Sequence, residues 1–313
     1  MSKKIKVSIV ILTWNQCDMT TQQLKDVAKL ETNGLDVEMI VVDNGSTDET
    51  IKKLSKYNLP NMSYKFIETG SNLGFAGGNN IGIKDAFDRG SDYVISMNND
   101  LILSKDIIIK MVSLAESDKT IGLVAPKMYF AKGFEFHKDR YKDSEKGRVI
   151  WYAGGVIDRD NVYSEHRGVD EVDVGQYNKT EDTDYVNGAC FLLTKELVKR
   201  IGLIDETFFL YWEDADYSEK AKRAGFRVMY LPTTCLWHMV SVSTGKSGSP
   251  SNDYFIIRNR LIYGLRYSNL RTKFALFRDS LRILVSGRRW QRLGVIDFYL
   301  GRWKSGRWLN RKK

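Results

Sequence analysis

Cysteine is scarce in this chain of 313 residues: Cys17, Cys190 and Cys235 are too few and too far apart for a disulfide framework or a zinc site. Each stands in an apolar or mixed segment, where a free thiol simply fills a core. Long apolar runs are missing as well, and no stretch approaches the ~20 residues of a membrane-spanning helix. Behind the basic Met1–Lys6 segment the apolar run stops at Leu12, too short for a secretory signal, and it reads better as a first strand. The chain is therefore expected to stay in the cytoplasm. Acidic side chains are nearly absent after Asp253: from Tyr254 to Lys313 there are 16 Lys and Arg against Asp279 and Asp297. The preceding residues carry 32 bases and 37 acids, so the net charge of +9 comes from the tail alone. Such a tail suits an anionic surface, either lipid headgroups or nucleic acid. The rest of the composition, 42% hydrophobic and 12% aromatic, supplies a globular core.

Over the first ~125 residues apolar β-rich runs alternate with amphipathic stretches, the pattern of a parallel sheet covered by helices. Val7–Leu12, Val37–Val42, Tyr64–Ile67, Tyr93–Met97 and Ile121–Ala125 read as strands, and Asp18–Leu30 and Lys105–Ala115 as helices. Ser46 and Glu49 have the spacing of a capping box for a helix reaching about Tyr57. The glycine-rich Gly70–Gly78 is expected to open a helix running to about Arg89. From Phe130 to Asp184 the periodicity is lost, which suggests an inserted, partly mobile region. Order returns with Tyr185–Thr194, helices over Lys195–Ile201 and Glu213–Ala224, and a strand at Arg227–Leu231. His238–Asn252, rich in Ser and Gly, reads as a flexible loop, and the remainder is helical, basic and aromatic.

Polar clusters stand where open α/β sheets bind ligands, at the carboxyl ends of strands. Asp43 ends the second strand, where a carboxylate can accept from a base N–H or ribose hydroxyls; Asn98-Asn99-Asp100 ends the Tyr93–Met97 strand, where one can hold Mg²⁺ or Mn²⁺. Either cluster alone is also ordinary turn chemistry. Ser71–Asn80 is rich in glycine without matching a dinucleotide or Walker motif; its merit is close backbone approach and free N–H groups before a helix. In Phe208–Tyr217 three carboxylates follow an aromatic run at a helix start, and Asp214 is the candidate base for deprotonating an acceptor hydroxyl. The helix dipole there is expected to depress its pKa. His238 is either a further metal ligand or a structural neighbour of Trp237.

Taken in order, these segments resemble the family 2 glycosyltransferases, and within them the rhamnosyltransferase-like group of bacterial surface-polysaccharide enzymes. The residues that carry the resemblance are Val7–Asn15, Val42–Asp48, Asn72–Asn80, Met97–Asp100, Val186–Ala189, Tyr211–Asp216 and Trp237-His238, spread from about Lys6 to Arg260. The resemblance implies a GT-A fold: an α/β domain with a mostly parallel nucleotide-binding sheet flanked by helices. On this reading residues 1–252 form the catalytic domain, with a nucleotide-binding half to 125 and an acceptor-binding half from 126 carrying the 130–184 insertion. A basic amphipathic helical region follows over 253–313. Thr13, Asn15, Asp43, Asn72, Gly74 and Asn99 would serve the nucleotide donor. Asp100 and His238 would hold Mg²⁺ or Mn²⁺, Asn187, Gly188, Ala189 and Glu213 would border the acceptor, and Asp214 would be the catalytic base. One departure stands out: the family's metal motif often begins with Asp, and here that position is Asn98.

The implied reaction is inverting transfer of a sugar from a nucleoside diphosphate donor to a glycan or lipid-linked acceptor, with dTDP-rhamnose the first donor and UDP-hexoses the alternative. A degenerate nucleotide-sugar binder would be expected to lose Asp100, Asp214 and His238 first. A nucleotidyltransferase would need a basic phosphate loop near its start, whereas no Lys or Arg stands between Val7 and Lys25. In the tail, Phe274, Phe277, Leu281, Trp290, Tyr299 and Trp303 interleave with Arg and Lys, the composition of an interfacial helix on anionic lipid at the inner face of the plasma membrane. Nucleic acid rarely needs so many aliphatics. The plainer alternatives are packing on the catalytic domain or a homodimer interface.

Overall fold

The computed structural model describes residues 4–240 and 248–309, so the centre of the serine- and glycine-rich loop expected at His238–Asn252 lies outside the described residues. The first half alternates strand and helix: β1 (Ile5–Thr13), α1 (Cys17–Val27), β2 (Leu35–Asp43), α2 (Thr50–Leu54), β3 (Ser63–Glu68), α3 (Gly74–Asp88) and β4 (Tyr93–Met97). Then come β5 (Leu101–Leu103), α4 (Ile107–Ser117) and β6 (Ile121–Phe130). Short strands follow: β7 (Ile150–Tyr152), β8 (Gly155–Asp158), β9 (Tyr163–His166) and β10 (Glu181–Asp182). The series closes with β11 (Cys190–Thr194), α5 (Lys195–Ile201), α6 (Glu213–Arg223), β12 (Arg227–His238), α7 (Pro250–Tyr267), α8 (Leu270–Ser286) and α9 (Arg289–Tyr299).

The main sheet runs in the order β10-β12-β6-β11-β4-β1-β2-β3, and β3, β2, β1 and β4 are mutually parallel. Helices cover both faces of this half, so Val7, Ile9, Val10 and Ile11 of β1 and Met39 to Val42 of β2 are wholly buried. Antiparallel β11 joins this half to β6, and β12 runs parallel to β6 beyond it. β5 then pairs antiparallel with the end of β12, setting Leu101 opposite His238.

One local expectation holds and one fails for a tertiary reason. The glycine-rich segment opens a helix, α3, with Gly77, Gly78 and Gly82 inside it. A Cβ on Gly78 would run into Leu12, and one on Gly82 into Val10 and Val42, so these glycines let the helix lie directly on β1 and β2. The Ser46–Glu49 capping box does not form. The Ser46 hydroxyl instead accepts from the Asn15 N–H across the cleft at 2.9 Å, and α2 is a shorter helix whose Thr50 N–H donates to Asp48. Between Phe130 and Asp184 the sequence is aperiodic because its strands are only two to four residues long, yet the segment is packed. Phe130, Tyr141 and Val149 form a small core of their own, and β8 and β9 make a hairpin.

Helix α7 packs on the body through Tyr254, Phe255, Asn259 and Tyr263, and its Arg266 bridges Asp205 and the wholly buried Asp216 at 2.8 Å each. The expected apolar interleaving of the tail divides in two. Leu276 and Val295 are buried, and Trp290 and Leu293 pack on Tyr254 and Phe255. Leu270, Phe274, Phe277, Leu281 and Val285 instead form one exposed stripe along α8.

Candidate active site

The carboxyl ends of β1, β2 and β4 converge, as a parallel sheet requires. The side chains there divide into those engaged by the protein and those left open. Thr13 Oγ1 bonds Thr20 Oγ1 at 2.7 Å, and Asn99 Nδ2 donates to Thr20 Oγ1 and Gln16 Oε1, so both fasten the strand ends to α1. Asn15, with φ of 54°, accepts the Thr47 N–H on its Oδ1. Asn72 accepts the Gly74 N–H and the Asn44 amide, and a Cβ on Gly74 would collide with Phe209, so this pair braces the loop before α3. Asp43 differs. Its Oδ1 takes the N–H groups of Gly45 and Ser46, while its buried Oδ2 has no partner within the protein. A buried carboxylate oxygen left this way needs a ligand donor or an ordered water.

A cleft of about 320 Å³ opens beside this edge, walled by Trp151, Tyr163, Tyr185 and Trp212 and floored by Asn98, Asn187, Gly188, Ala189, Glu213 and Asp214. It brings the expected acceptor-side residues, the candidate base and His238 together; Thr13, Asn15, Asp43, Asn72 and Gly74 do not line it. Asp214 Oδ2 accepts the Gly188 N–H at 3.0 Å, and Oδ1 the Ala215 N–H at 2.8 Å. Burial in this aromatic setting lifts its carboxyl to about 6, against the depression expected from the helix dipole. Glu213, buried and with Oε2 unpartnered, is pushed well above the ordinary carboxylate range, first by burial and then by the Asp214 charge. Of the two carboxyls, Glu213 is thus the one that holds its proton more tightly, and Asp214 the readier to ionise.

The backbone that presents this pair is strained. Tyr211 and Trp212, immediately before α6, both adopt the left-handed conformation, with φ of 66° and 73°. For residues with a Cβ that costs roughly 1–2 kcal/mol each. Asn259 of α7 holds them: its Nδ2 donates to the carbonyls of Leu210 and Tyr211, each at 2.8 Å.

Asp100 and His238 meet because β5 pairs with β12; Asp100 Oδ1 lies 3.2 Å from His238 Nε2. Two ligands on adjacent vertices of an octahedral shell, with bonds of ~2.1 Å, stand about 3 Å apart, so this separation fits a shared divalent cation. His238 Nδ1 is buried without a partner, and Trp151 packs on its ring at 4.2 Å. Among the described residues no group of three or more His, Cys, Asp or Glu could hold a metal, so a cation here would take its remaining oxygens from ligand and solvent.

Sequence reasoning missed His166. It stands in the aperiodic stretch, on β9, and no motif marks it. Asn187 Oδ1 accepts the Ala189 N–H, which fixes the amide so that Nδ2 donates to His166 Nε2 at 2.8 Å. The imidazole proton then lies on Nδ1, toward the Trp151 carbonyl, and burial lowers the ring to about 4. His166 is neutral at pH 7 and orients Asn187.

A family model described as glycosyl transferase family 2 matches residues 8–201. The chain is 23% identical over 226 residues to the low-salt glycan biosynthesis hexosyltransferase Agl10 of Haloferax volcanii, covering 72% of this chain and 66% of that one. It is 26% identical over 223 residues to an N-acetylglucosaminyl-diphospho-decaprenol L-rhamnosyltransferase of Mycobacterium tuberculosis, covering 67% and 69%. Matches of this kind span about two thirds of each relative's length. Its fold is similar to that of part of GalNAc-T7, solved with UDP, GalNAc and Mn²⁺: the TM-score is 0.68 at 16% identity, over 98% of this chain and 56% of that one. It is also similar to the mannosyltransferase PcManGT of Pyrobaculum calidifontis, solved with GDP-Man and Mn²⁺, with a TM-score of 0.55 at 15% identity over 98% and 84%.

Proposed function

The chain belongs to glycosyl transferase family 2, and on that premise we propose that it transfers a sugar from a nucleoside diphosphate donor to an acceptor hydroxyl with inversion. The observation that carries this reading is the buried Glu213–Asp214 pair, set in an aromatic cleft beside the Asp100–His238 pair. Asp43 Oδ2 accepts from the nucleotide base, while Thr13, Asn15, Asn72, Gly74 and Asn99 shape the donor edge. Asp100 and His238 would hold Mg²⁺ or Mn²⁺, which offsets the charge of the departing diphosphate. Asp214 takes the proton of the acceptor hydroxyl as its oxygen forms a bond to the anomeric carbon. The bond from that carbon to the diphosphate oxygen breaks on the opposite side, and no sugar–enzyme intermediate forms. A base with a pKa near 6 is ionised at pH 7 yet more basic than an ordinary carboxylate. Asn187, Gly188, Ala189 and Glu213 hold the acceptor, with aromatic faces for its C–H edges.

The likeness to an L-rhamnosyltransferase favours dTDP-rhamnose as donor and a lipid-linked saccharide as acceptor, with UDP-hexoses second. The exposed stripe of α8 supports action at the inner face of the plasma membrane. Its apolar side chains are flanked by exposed Arg271, Arg278 and Arg282, a surface complementary to anionic lipid. Pairing two copies of this stripe about a two-fold axis would set those arginines against each other, which disfavours a dimer through α8. The direct test is thermal shift with dTDP- and UDP-sugars in Mn²⁺, Mg²⁺ or EDTA. Metal-dependent stabilisation by one nucleotide class is expected, since a ligand of the native state raises Tm by mass action. No shift with any donor or metal would overturn the reading.

A further inference from the structure

We infer that Asn259, a residue of the C-terminal helix α7, is a positioning residue for the base. It locks the left-handed Tyr211–Trp212 turn that aims Asp214 into the cleft. This rests on the reading of Asp214 as the base. Two successive residues bearing a Cβ do not hold left-handed geometry unless their surroundings impose it. Here one side chain holds both carbonyls at the head of the turn. Asn259 is wholly buried and spends its Nδ2 on the carbonyls of both Leu210 and Tyr211. Its amide cannot flip without loss, because Arg258 Nε donates to Oδ1 at 3.0 Å. Arg258 is itself wholly buried, packed over the Tyr254 and Phe255 rings. One turn further along α7, Tyr263 packs its ring on Trp212 at 4.8 Å. The turn is thus gripped at its carbonyls and at its indole by one helix. Trp212 leads directly into Glu213 and Asp214 at the start of α6. Asn259 bonds neither Asp43, Asp100 nor His238, which stand at the end of β2, immediately before β5 and at the end of β12.

The separation predicts a divided phenotype, tested on the full chain with N259A, N259S and D214N compared. In N259A the carbonyls of Leu210 and Tyr211 lose their shared donor, the turn relaxes and Asp214 swings off line. Turnover is expected to fall about a hundredfold, the usual result of a misplacement near 1 Å. Nucleotide affinity in the presence of Mn²⁺ should stay within about twofold. The acid limb of the rate profile should move down toward the ordinary carboxylate range, because a loosened turn admits water to Asp214. N259S retains one donor and should fall between N259A and the wild type, which keeps the test open if N259A does not fold. Turnover of N259A, or of N259S where N259A does not fold, within about threefold of the wild type with D214N inactive overturns the clamp. So does loss of nucleotide affinity in step with turnover, the mark of a merely structural residue. Full turnover in D214N would instead remove Asp214 as base and leave the donor assignments to stand or fall by themselves.

Discussion

Replacing Asp214 by Asn should abolish turnover and make the protein more stable. Burial lifts this carboxyl from 3.8 to about 6, so holding it ionised at pH 7 costs the native state at most about 3 kcal/mol. Asp214 keeps partial access to the cleft, which places the true cost below that bound. Asn is uncharged and nearly isosteric, but it offers one acceptor oxygen where Asp offers two. One of the two backbone donors, Gly188 N–H or Ala215 N–H, is left without a partner, at about 1 kcal/mol. The net gain is then roughly 1–2 kcal/mol, or a few degrees in Tm for a chain of this size. The sign with pH follows from linkage. The native state binds this proton more tightly than the unfolded chain, so wild-type stability from this group is full below pH 4 and is lost as pH rises through 6. The advantage of D214N should therefore be present at pH 7–8 and vanish near pH 4. Turnover, followed by release of nucleoside diphosphate, should fall by at least about a hundredfold. A variant less stable than the wild type at pH 7, or equally advantaged at both pH values, refutes the burial argument. Near-normal turnover refutes the role.

The same ionisation should give the wild-type rate an acid limb near pH 6, falling about tenfold per unit below it; a profile flat to pH 5 would count against a buried base. Gly82→Ala gains helix propensity but forces a Cβ against Val10 and Val42, so a net loss of about 1–2 kcal/mol is expected in urea melts, and an unchanged midpoint would contradict the close packing of α3. F277E and L281E together should abolish flotation with anionic liposomes while leaving nucleotide binding intact; equal flotation of variant and parent would exclude the α8 stripe as the lipid contact.

Much of the fold was legible because buried parallel strands announce themselves as apolar runs: Val7–Leu12, Val37–Val42 and Tyr93–Met97 all fall inside β1, β2 and β4. What escaped depended on partners remote in sequence. That the glycine-rich segment opens a helix was legible, but not why glycine, a poor helix former, stands at 78 and 82: the nearness of β1 and β2 explains that. Ser46 has the spacing of a cap, but Asn15 claims its hydroxyl. In the site, the strand-end acids stand out by position, whereas the standing of each differs with its surroundings: Asn99 is engaged with Gln16 and Thr20, while Asp43 keeps an oxygen open. The dipole argument misjudged Asp214 because desolvation outweighs it, and desolvation depends on aromatics supplied by β7, β9 and the turn before α6. Asn259 and His166 carry no motif at all; each matters through a hydrogen bond to a distant segment.

The pairing of β5 with β12 gives the Asp100–His238 site a property that composition alone would not. Side chains alternate along a strand, so a one-residue slip of β12 would turn His238 to the opposite face while changing no ligand. The register is held from both sides: past an irregularity between Leu231 and Cys235, β12 pairs again with β6, His238 opposite Phe130, and with β5, His238 opposite Leu101. Cation-dependent nucleotide binding thereby becomes an audit of assembly: a chain that has folded its first five strands but not seated β12 carries Asp100 without its mate.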